Sequence, residues 1–366
     1  MKKTHYSVKC FLTVICVLGL MSSCQRDDTP LPEIPPSDGT SMKLNGGEGG
    51  SSAENTVFVD LSTDKQHAVN RTQWNLGFYN GDEFRVILNN TAGSSAVKVE
   101  ATDLTKVSED DVDLSTLSIA LGSPGAFSNI DDLTGDLGKT IIPAISATEA
   151  ENKVFILNPI GGVHGKDINA DDLFKLRIIR KGNDYELLYA RLNATEFERM
   201  SIKKNDDFNF QYISFTDGPV AVEPIKKEWD FQWTWSLYFG SMPDGSNFPY
   251  GYSDLIFINY LAGVSAAEIV FKNADGSSNG QPAYADFGEI DLTGITFNTS
   301  KGAISSAWRK TTGTPLGVQT DRYYLIKDPS GNIYKLRFTS MGAGNPPVDG
   351  GMRGYPEIEY KLVKRG

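Results

Sequence analysis

Two short segments carry residue types that could do catalytic or metal chemistry. Residues 276–280 fit the Gly-x-Ser-x-Gly pattern with which serine hydrolases present a nucleophile on a strand-turn-helix elbow. That serine needs a histidine partner, and the three histidines of the chain, His5, His67 and His164, lie far from it in sequence. Residues 109–113 offer acidic oxygens for calcium but lack the glycine and ordered alternation of a calcium loop. We therefore expect a connecting loop and a solvated turn, and a protein that is not an enzyme.

A third reactive position is Cys24, where the predicted chemistry is lipid attachment. Lys2 and Lys3 precede an apolar run over residues 11–21, which is the pattern of a signal peptide. The run ends in small residues directly before the cysteine, and this ending resembles the lipobox at which signal peptidase II cuts. The sequence predicts a lipoprotein signal peptide over residues 1–23 and a membrane anchor at lipidated Cys24.

The segment after the cysteine predicts where the anchored protein resides. Residues 25–28 resemble the acidic export signal of surface lipoproteins, which indicates the outer membrane and the cell exterior; a plain solvated start to a linker is the alternative. Residues 24–54 are rich in Pro, Gly, Ser and Asp, a composition that predicts a flexible tether. Because Cys10 and Cys16 lie in the removed segment, the mature chain has no cysteine left for an internal disulfide besides the lipid-bearing one.

Composition limits the classes of partner and fold. The net charge of -11 and the pI near 4.9 argue against nucleic-acid binding, because the chain would meet phosphates with like charge. The 36 glycines and the aromatic fraction of 11%, together with few amphipathic helical stretches, indicate strands and turns.

An internal repeat divides the part that follows the tether. Residues 89–96 return in similar form at 259–266, and residues 154–159 return at 324–329. Both pairs of blocks share one displacement of 170 residues, so a duplication is the simplest explanation.

Strand periodicity within each copy predicts the fold class. Between Trp229 and residue 239, apolar and polar residues alternate with the two-residue period of a half-buried strand. We therefore interpret Trp229, Trp233 and Trp235 as core residues rather than as a sugar-stacking platform. The sequence predicts an all-β, mostly antiparallel fold in two tandem related domains, residues 55–195 and 196–366.

The second copy also resembles a known family. Residues 210–220 are similar to the opening aromatic-x-Tyr-Phe-Ser-Phe-x-x-Gly-x-Val of the HmuY family of haem-binding surface lipoproteins, and a Trp-containing strand follows at 229–238. Residues 321–326 and 335–339 resemble the family's closing strands, within a match that spans 197–364. The resemblance implies a hand-shaped all-β domain that captures haem and passes it to a TonB-dependent outer-membrane receptor.

The haem ligands of that family do not carry over directly. By the resemblance, two His or two Met side chains hold the iron on both faces of the ring. The family's second ligand follows a tryptophan by five residues, and counting from Trp308 reaches Gly313, which cannot ligate iron. No histidine occurs in the second copy. The candidate haem ligands are Met242, Met341, Met352 and His164.

Two other classes of function stay open at this point. A glycan- or protein-binding surface lipoprotein without haem would use exposed aromatic side chains, with Tyr250, Tyr252 and Tyr284 as candidates. A structural or adhesion subunit would show neither a haem spectrum nor aromatic faces paired in a groove.

Overall fold

The computed structural model describes Met1 and residues 35–119, 127–161 and 167–366. The chain divides into two units, Met1–Pro35 and Pro36–Gly366, and the second unit contains the fold described below. Cys24, the predicted signal peptide after Met1 and His164 lie outside the described residues.

The described residues form antiparallel sheets. The strands are β1 (Ser41–Lys43), β2 (Asn55–Asp60), β3 (Lys65–Asn70), β4 (Leu76–Tyr79), β5 (Val86–Leu88), β6 (Ser95–Val99), β7 (Val154–Asn158), β8 (Phe174–Lys181), β9 (Asp184–Arg191), β10 (Glu198–Ile202), β11 (Phe210–Ser214), β12 (Gly218–Val220), β13 (Phe231–Ser241), β14 (Asn247–Ile258), β15 (Ser265–Val270), β16 (Arg309–Lys310), β17 (Gly317–Val318), β18 (Arg322–Lys327), β19 (Ile333–Ser340) and β20 (Glu357–Lys364). Their pairings are antiparallel throughout, which confirms the predicted fold class.

Among the described residues, helical structure is confined to short 3₁₀ turns in the connections. They are Gly50–Ser52, Leu104–Lys106, Glu109–Asp111, Leu114–Leu117, Leu137–Lys139, Glu149–Glu151, Ala170–Asp172, Tyr260–Ala262 and Glu289–Leu292. Within the part of the chain that the structure describes, no helix combines the length and apolar character needed to cross a membrane.

Two five-stranded sheets have equivalent strand orders. One runs β6-β7-β8-β9-β10 and the other runs β15-β18-β19-β20-β1, so each strand of the first has a counterpart in the second. The short β16–β17 pair lies between β15 and β18 in sequence and has no counterpart among the described strands of the first sheet. The two sheets thus have the order that a repeated chain would give.

The two four-stranded sheets are built by an exchange of hairpins. The β11–β12 hairpin of the C-terminal half pairs with β4 of the N-terminal half, and the β2–β3 hairpin of the N-terminal half pairs with β13 of the C-terminal half. The resulting orders, β12-β11-β4-β5 and β3-β2-β13-β14, are again equivalent. Each half therefore completes a sheet of the other.

Burial explains why these hairpins hold the halves together. Val57 and Val59 of β2 are fully buried in the core that Trp233 and the β18–β20 strands build. Ile213 and Phe215, on and after β11, are buried in the core of the N-terminal half. Burying an aliphatic or aromatic side chain contributes about 1.5–3 kcal/mol, so the exchanged strands stabilise both cores.

Equivalent polar contacts recur at equivalent positions. The Asn89 side-chain amide donates to the Trp74 carbonyl at 2.7 Å, and the Asn259 amide donates to the Trp229 carbonyl at 3.1 Å. The two asparagines belong to the blocks that the sequence pairs at a displacement of 170 residues. Each asparagine thus joins the end of one hairpin, β4–β5 or β13–β14, to the segment before its first strand.

The structure differs from the sequence-based boundaries in two respects. Composition predicts a tether as far as residue 54, whereas residues 36–54 lie in the compact unit: β1 pairs with β20, and Leu44 is fully buried. A few apolar side chains among the glycines are enough to add this strand. The exchanged hairpins join the two proposed repeats, 55–195 and 196–366, into one compact unit. That the repeats arose by duplication stays a prediction.

Candidate functional site

The β13–β14 hairpin extends well beyond the sheet that contains its base. β2 pairs with residues 231–233 of β13, and a register shift, which is a β-bulge, follows between Thr234 and Ser236. Beyond the bulge, pairing continues from Ser236–Tyr252 to Ser241–Asn247, between β13 and β14 alone. We call residues 236–252 the arm.

One face of the arm carries a row of aromatic side chains. Phe248, Tyr250 and Tyr252 alternate along β14 and therefore share a face. The Phe248 and Tyr250 ring centroids are 5.9 Å apart, and those of Tyr250 and Tyr252 are 5.0 Å apart, both edge to face. Tyr250 is 42% exposed. We call these three residues the aromatic row; its rings are held by one another while one stays accessible to a ligand.

Two glycines let rings lie close to the arm's backbone. A Cβ added at Gly240 would come within 2.6 Å of the Phe248 ring, its partner across the strands. At Gly251 an added Cβ would meet the Trp235 ring just as closely. Any side chain at these positions would push the rings off the strands, so the glycines preserve the shape of the arm.

The inner end of the aromatic row meets a buried cluster of charges. Asp254 is 1% exposed, and its Oδ2 is 2.6 Å from Arg353 Nη2. Arg309 donates through Nη2 to the Ser253 carbonyl, and its guanidinium carbon lies 6.0 Å from the Tyr252 ring centroid. We call Asp254, Arg309 and Arg353 the arginine cluster.

The backbone at Asp254 turns its carboxylate into this cluster. Its φ of 57° is left-handed, a conformation that Asp tolerates better than most residues. It lies in the bulge itself, because Ser253 and Asp254 of β14 together face the single residue Trp235 of β13, and bulges redirect side chains near binding sites. Burial raises the pKa of Asp254 and lowers that of Arg309, while the opposite charges counter both shifts.

The arginine cluster has more donors than acceptors. Arg309 Nε and Arg353 Nη1 are buried without a hydrogen-bond partner, and the short contact to Asp254 lacks hydrogen-bond geometry at either carboxylate oxygen. Two guanidinium groups face one carboxylate, so the cluster carries a net positive charge. Guanidinium forks suit carboxylate and phosphate groups, and the cluster can therefore attract an anionic group of a ligand lying on the aromatic row.

The predicted methionine ligands occupy three different environments. Met242 is 37% exposed at the tip of the arm, Met352 is 54% exposed in the loop before β20, and Met341 is fully buried in the C-terminal core. Arg353, which follows Met352, hydrogen-bonds to Ser253 at the inner end of the arm, whereas Met242 lies past Asn247 at the other end. At about 3.3 Å per strand residue, Ser253 and Asn247 are about 20 Å apart along β14, so the two exposed methionines belong to opposite ends of the arm.

The remaining candidate residues from the sequence lie in turns or in the core. Residues 276–280 form a turn region after β15, and residues 109–111 form a 3₁₀ turn. Trp229 and Trp233 are buried as predicted, but Trp235 is only partly buried and packs against a different cluster from Trp233. Tyr284 is 7% exposed and lies beneath Arg337, with 4.6 Å between the guanidinium carbon and the ring centroid. It therefore cannot present a face to a glycan.

Sequence reasoning missed the arginine cluster. Asp254, Arg309 and Arg353 are far apart in the chain, and only the fold brings them together. The signal in the sequence that could have drawn attention to the cluster is the alternation of Phe248, Tyr250 and Tyr252 directly before Asp254.

One comparison with known proteins identifies a family. A family model described as HmuY protein matches residues 52–360. No curated protein and no solved structure matches the chain. Within residues 35–119, 127–161 and 167–366, no group of three or more His, Cys, Asp or Glu side chains is arranged to hold a metal ion.

Proposed function

Since the chain belongs to the HmuY family, we propose that it is a non-enzymatic surface lipoprotein that captures haem on the arm. Anchored through Cys24 to the outer membrane, it faces the cell exterior and delivers its ligand to a TonB-dependent receptor. The observation that supports this proposal is the aromatic row, whose inner end lies beside two guanidinium groups and only one carboxylate. Haem offers the complementary pair of features, a flat aromatic macrocycle and two propionate carboxylates.

The spacing along β14 favours one iron contact over the others. With the propionates near Ser253, where both arginines bind, Tyr250 lies three strand residues away, which is about 10 Å. That length is comparable with the distance from the haem iron to its propionate carboxylates. Phenolate is an established axial ligand of haem iron. Met242 and Met352, the exposed thioethers, are the alternative axial ligands.

A haemin titration of the mature chain tests this proposal. We expect a saturable shift of the Soret band at one equivalent, weakened at least tenfold in Tyr250→Phe and unchanged in Tyr252→Phe, its matched neighbour. Loss of the shift in Met242→Leu or Met352→Leu, with Tyr250→Phe intact, would assign the iron to a thioether instead. Absence of any shift with ferric or ferrous haem would contradict haem capture.

The second candidate function is glycan binding on the same rings, favoured by the exposure of Tyr250. Aromatic faces bind sugars through their apolar surfaces. In that case Tyr250→Ala would remove binding to an immobilised glycan panel, while Arg353→Gln would retain it. Haem capture predicts no glycan binding and a marked effect of Arg353→Gln on haemin affinity.

A further inference from the structure

The arm has two distinct faces. Its aromatic row is paired across the strands with Ser236, Tyr238 and Gly240, so these residues share one face. Leu237 and Phe239 alternate with them and therefore lie on the opposite face. A ligand on the aromatic row leaves this second face available for packing against the protein itself.

The N-terminal half packs against the second face. Leu237 is 1% exposed and lies in a cluster with three buried apolar side chains of that half, Ile119, Ile130 and Leu133. Its backbone N–H donates to the Asn90 carbonyl at 3.1 Å. Further along the arm, the Phe239 ring centroid lies 6.1 Å from that of Phe127. The N-terminal half therefore backs the arm on the side away from the aromatic row.

At the inner end of the arm, Arg71 contacts Trp235. The guanidinium carbon of Arg71 lies over the Trp235 ring, 4.7 Å from its centroid. Arg71 directly follows the exchanged β2–β3 hairpin, where the chain returns to its own half. Trp235 directly precedes the arm and faces Ser253 and Asp254 across the bulge. The contact thus joins the crossing point of the exchanged hairpin to the junction between base and arm.

The surroundings of Arg71 fix its guanidinium in this position. The Nε atom donates to the Ala53 carbonyl at 2.8 Å, and Nη1 donates to the Thr91 carbonyl. The Arg71 carbonyl accepts from the Asn89 amide at 3.0 Å and from the Thr91 hydroxyl at 2.8 Å. Burial lowers the pKa of Arg71, and no carboxylate of the described residues counters that shift. The guanidinium is therefore oriented by two carbonyls and one indole ring rather than by an ion pair.

Trp235 connects Arg71 to the strand that carries the aromatic row. A Cβ added at Gly251 would come within 2.3 Å of the Trp235 ring, so the indole lies directly against the backbone of β14. Gly251 is paired with Leu237, which places this contact on the backed face of the arm. It also stands between Tyr250 and Tyr252. Displacement of the indole would therefore release the backbone between two rings of the row.

The repeat provides an equivalent position that has no arm beside it. The Lys226 carbonyl accepts from the Asn259 amide at 2.8 Å, as the Arg71 carbonyl does from the Asn89 amide. Lys226 follows the exchanged β11–β12 hairpin, whose partner hairpin, β4–β5, is short. An arginine at the position beside the arm suits the indole contact, because a planar guanidinium stacks on aromatic rings and an ammonium does not.

We propose that the N-terminal half supports the arm, and that Arg71 is the positioning residue of this support, acting through Trp235 on the aromatic row. The proposal rests on ligand capture at the arm. It gives the first repeat a role in the binding site of the second, instead of a binding site of its own. Since Arg71 lies on the backed side of the arm, its effect on ligand affinity is indirect.

Haemin titration of the mature chain tests this role in Arg71→Met. We expect the haemin affinity to fall by about 3- to 30-fold, which corresponds to the strength of a cation–π contact. The matched control is Lys226→Met, at the equivalent position, which should change the affinity by less than about twofold. Circular dichroism and urea denaturation establish that each variant is folded under the titration conditions.

A double-mutant cycle with Trp235→Leu separates positioning from a general loss of stability. Trp235→Leu alone should weaken haemin binding, although this residue lies on the backed side of the arm. In that background, Arg71→Met should weaken binding by less than about a further twofold, because the contact is already absent. If Arg71→Met does not fold, the loss of affinity in Trp235→Leu decides the matter.

Acrylamide quenching of tryptophan fluorescence gives a readout that needs no haem. Trp235 is partly exposed, whereas the other four tryptophans are buried. Quenching should therefore increase in Arg71→Met and stay unchanged in Lys226→Met.

Unchanged haemin affinity in a folded Arg71→Met protein, an equal loss in Lys226→Met, or fully additive losses with Trp235→Leu would overturn the proposal. A wild type without any Soret shift would contradict haem capture instead. In that case unchanged quenching in Arg71→Met would overturn the support of the arm, and increased quenching would uphold it.

Discussion

The β4–β5 and β13–β14 hairpins occupy equivalent places in their sheets but differ greatly in length. The strands of the first have four and three residues, and those of the second have 11 and 12. Each hairpin pairs at its base with an exchanged strand, so a short hairpin is enough to complete the four-stranded sheet. The additional length of the second hairpin, the arm, is not needed for strand exchange and carries the aromatic row instead.

The largest expected effect separates the base of the long hairpin from its arm. Trp233 at the base is 1% exposed within the C-terminal core. Trp233→Ala should lower the free energy of unfolding by about 3–5 kcal/mol, the cost of deleting a buried aromatic side chain. Tyr250→Ala on the arm should change it by less than about 0.5 kcal/mol. Urea denaturation measures both, and similar losses would mean that the arm belongs to the core.

A second prediction concerns the junction between base and arm. Asp254→Ala removes the one carboxylate of the arginine cluster and leaves the buried guanidinium of Arg309 and the partly buried one of Arg353 uncompensated. The free energy of unfolding should fall by about 3 kcal/mol, whereas Asp244→Ala at the exposed tip should have little effect. Haemin affinity should not fall in Asp254→Ala, since the arginines lose a competing anion. A stable variant would show that the cluster is not held by this charge.

A third prediction concerns the interior that both halves share. The folded-state pKa of Glu223, about 7, exceeds the usual value of 4.5. The folded protein therefore binds more protons than the unfolded chain between these values, and stability falls as pH rises from about 4.5 through 7. Relative to Glu223→Gln, the wild type should lose about 2–3 kcal/mol over this range. Parallel stability curves for the two proteins between pH 4.5 and 7.5 would contradict it.

Local patterns predicted much of the fold, because the residues that indicate a strand lie within a few positions of one another. The alternation around Trp229 and Trp233 identified β13, and the repeated asparagine blocks located equivalent turns. Hairpin exchange could not be predicted in this way, because the sequence of β2 is the same whether β2 pairs within its own half or with β13. Leu44 and Met42 were likewise hidden in a glycine-rich composition that favoured a tether.

The site was only partly predictable for a related reason. Met242, Met341 and Met352 were selected by residue type, yet burial distinguishes them: Met341 is enclosed in the core and Met242 stands at the tip of the arm. Tyr250 is the preferred iron ligand because of its exposure and its position along the strand, and not because of ligand chemistry alone. The pairing of Arg309 with Arg353 near Ser253 depends on tertiary structure and leaves no local trace in the sequence.

The most direct test of the account removes most of the arm. Residues 238–250 would be replaced by Asn-Gly, a two-residue turn suited to the facing pair Leu237 and Gly251. Haemin titration of this variant beside the wild type should show a Soret shift in the wild type alone, with native circular dichroism in both. An equal shift in the shortened protein would contradict the assignment of ligand capture to the arm.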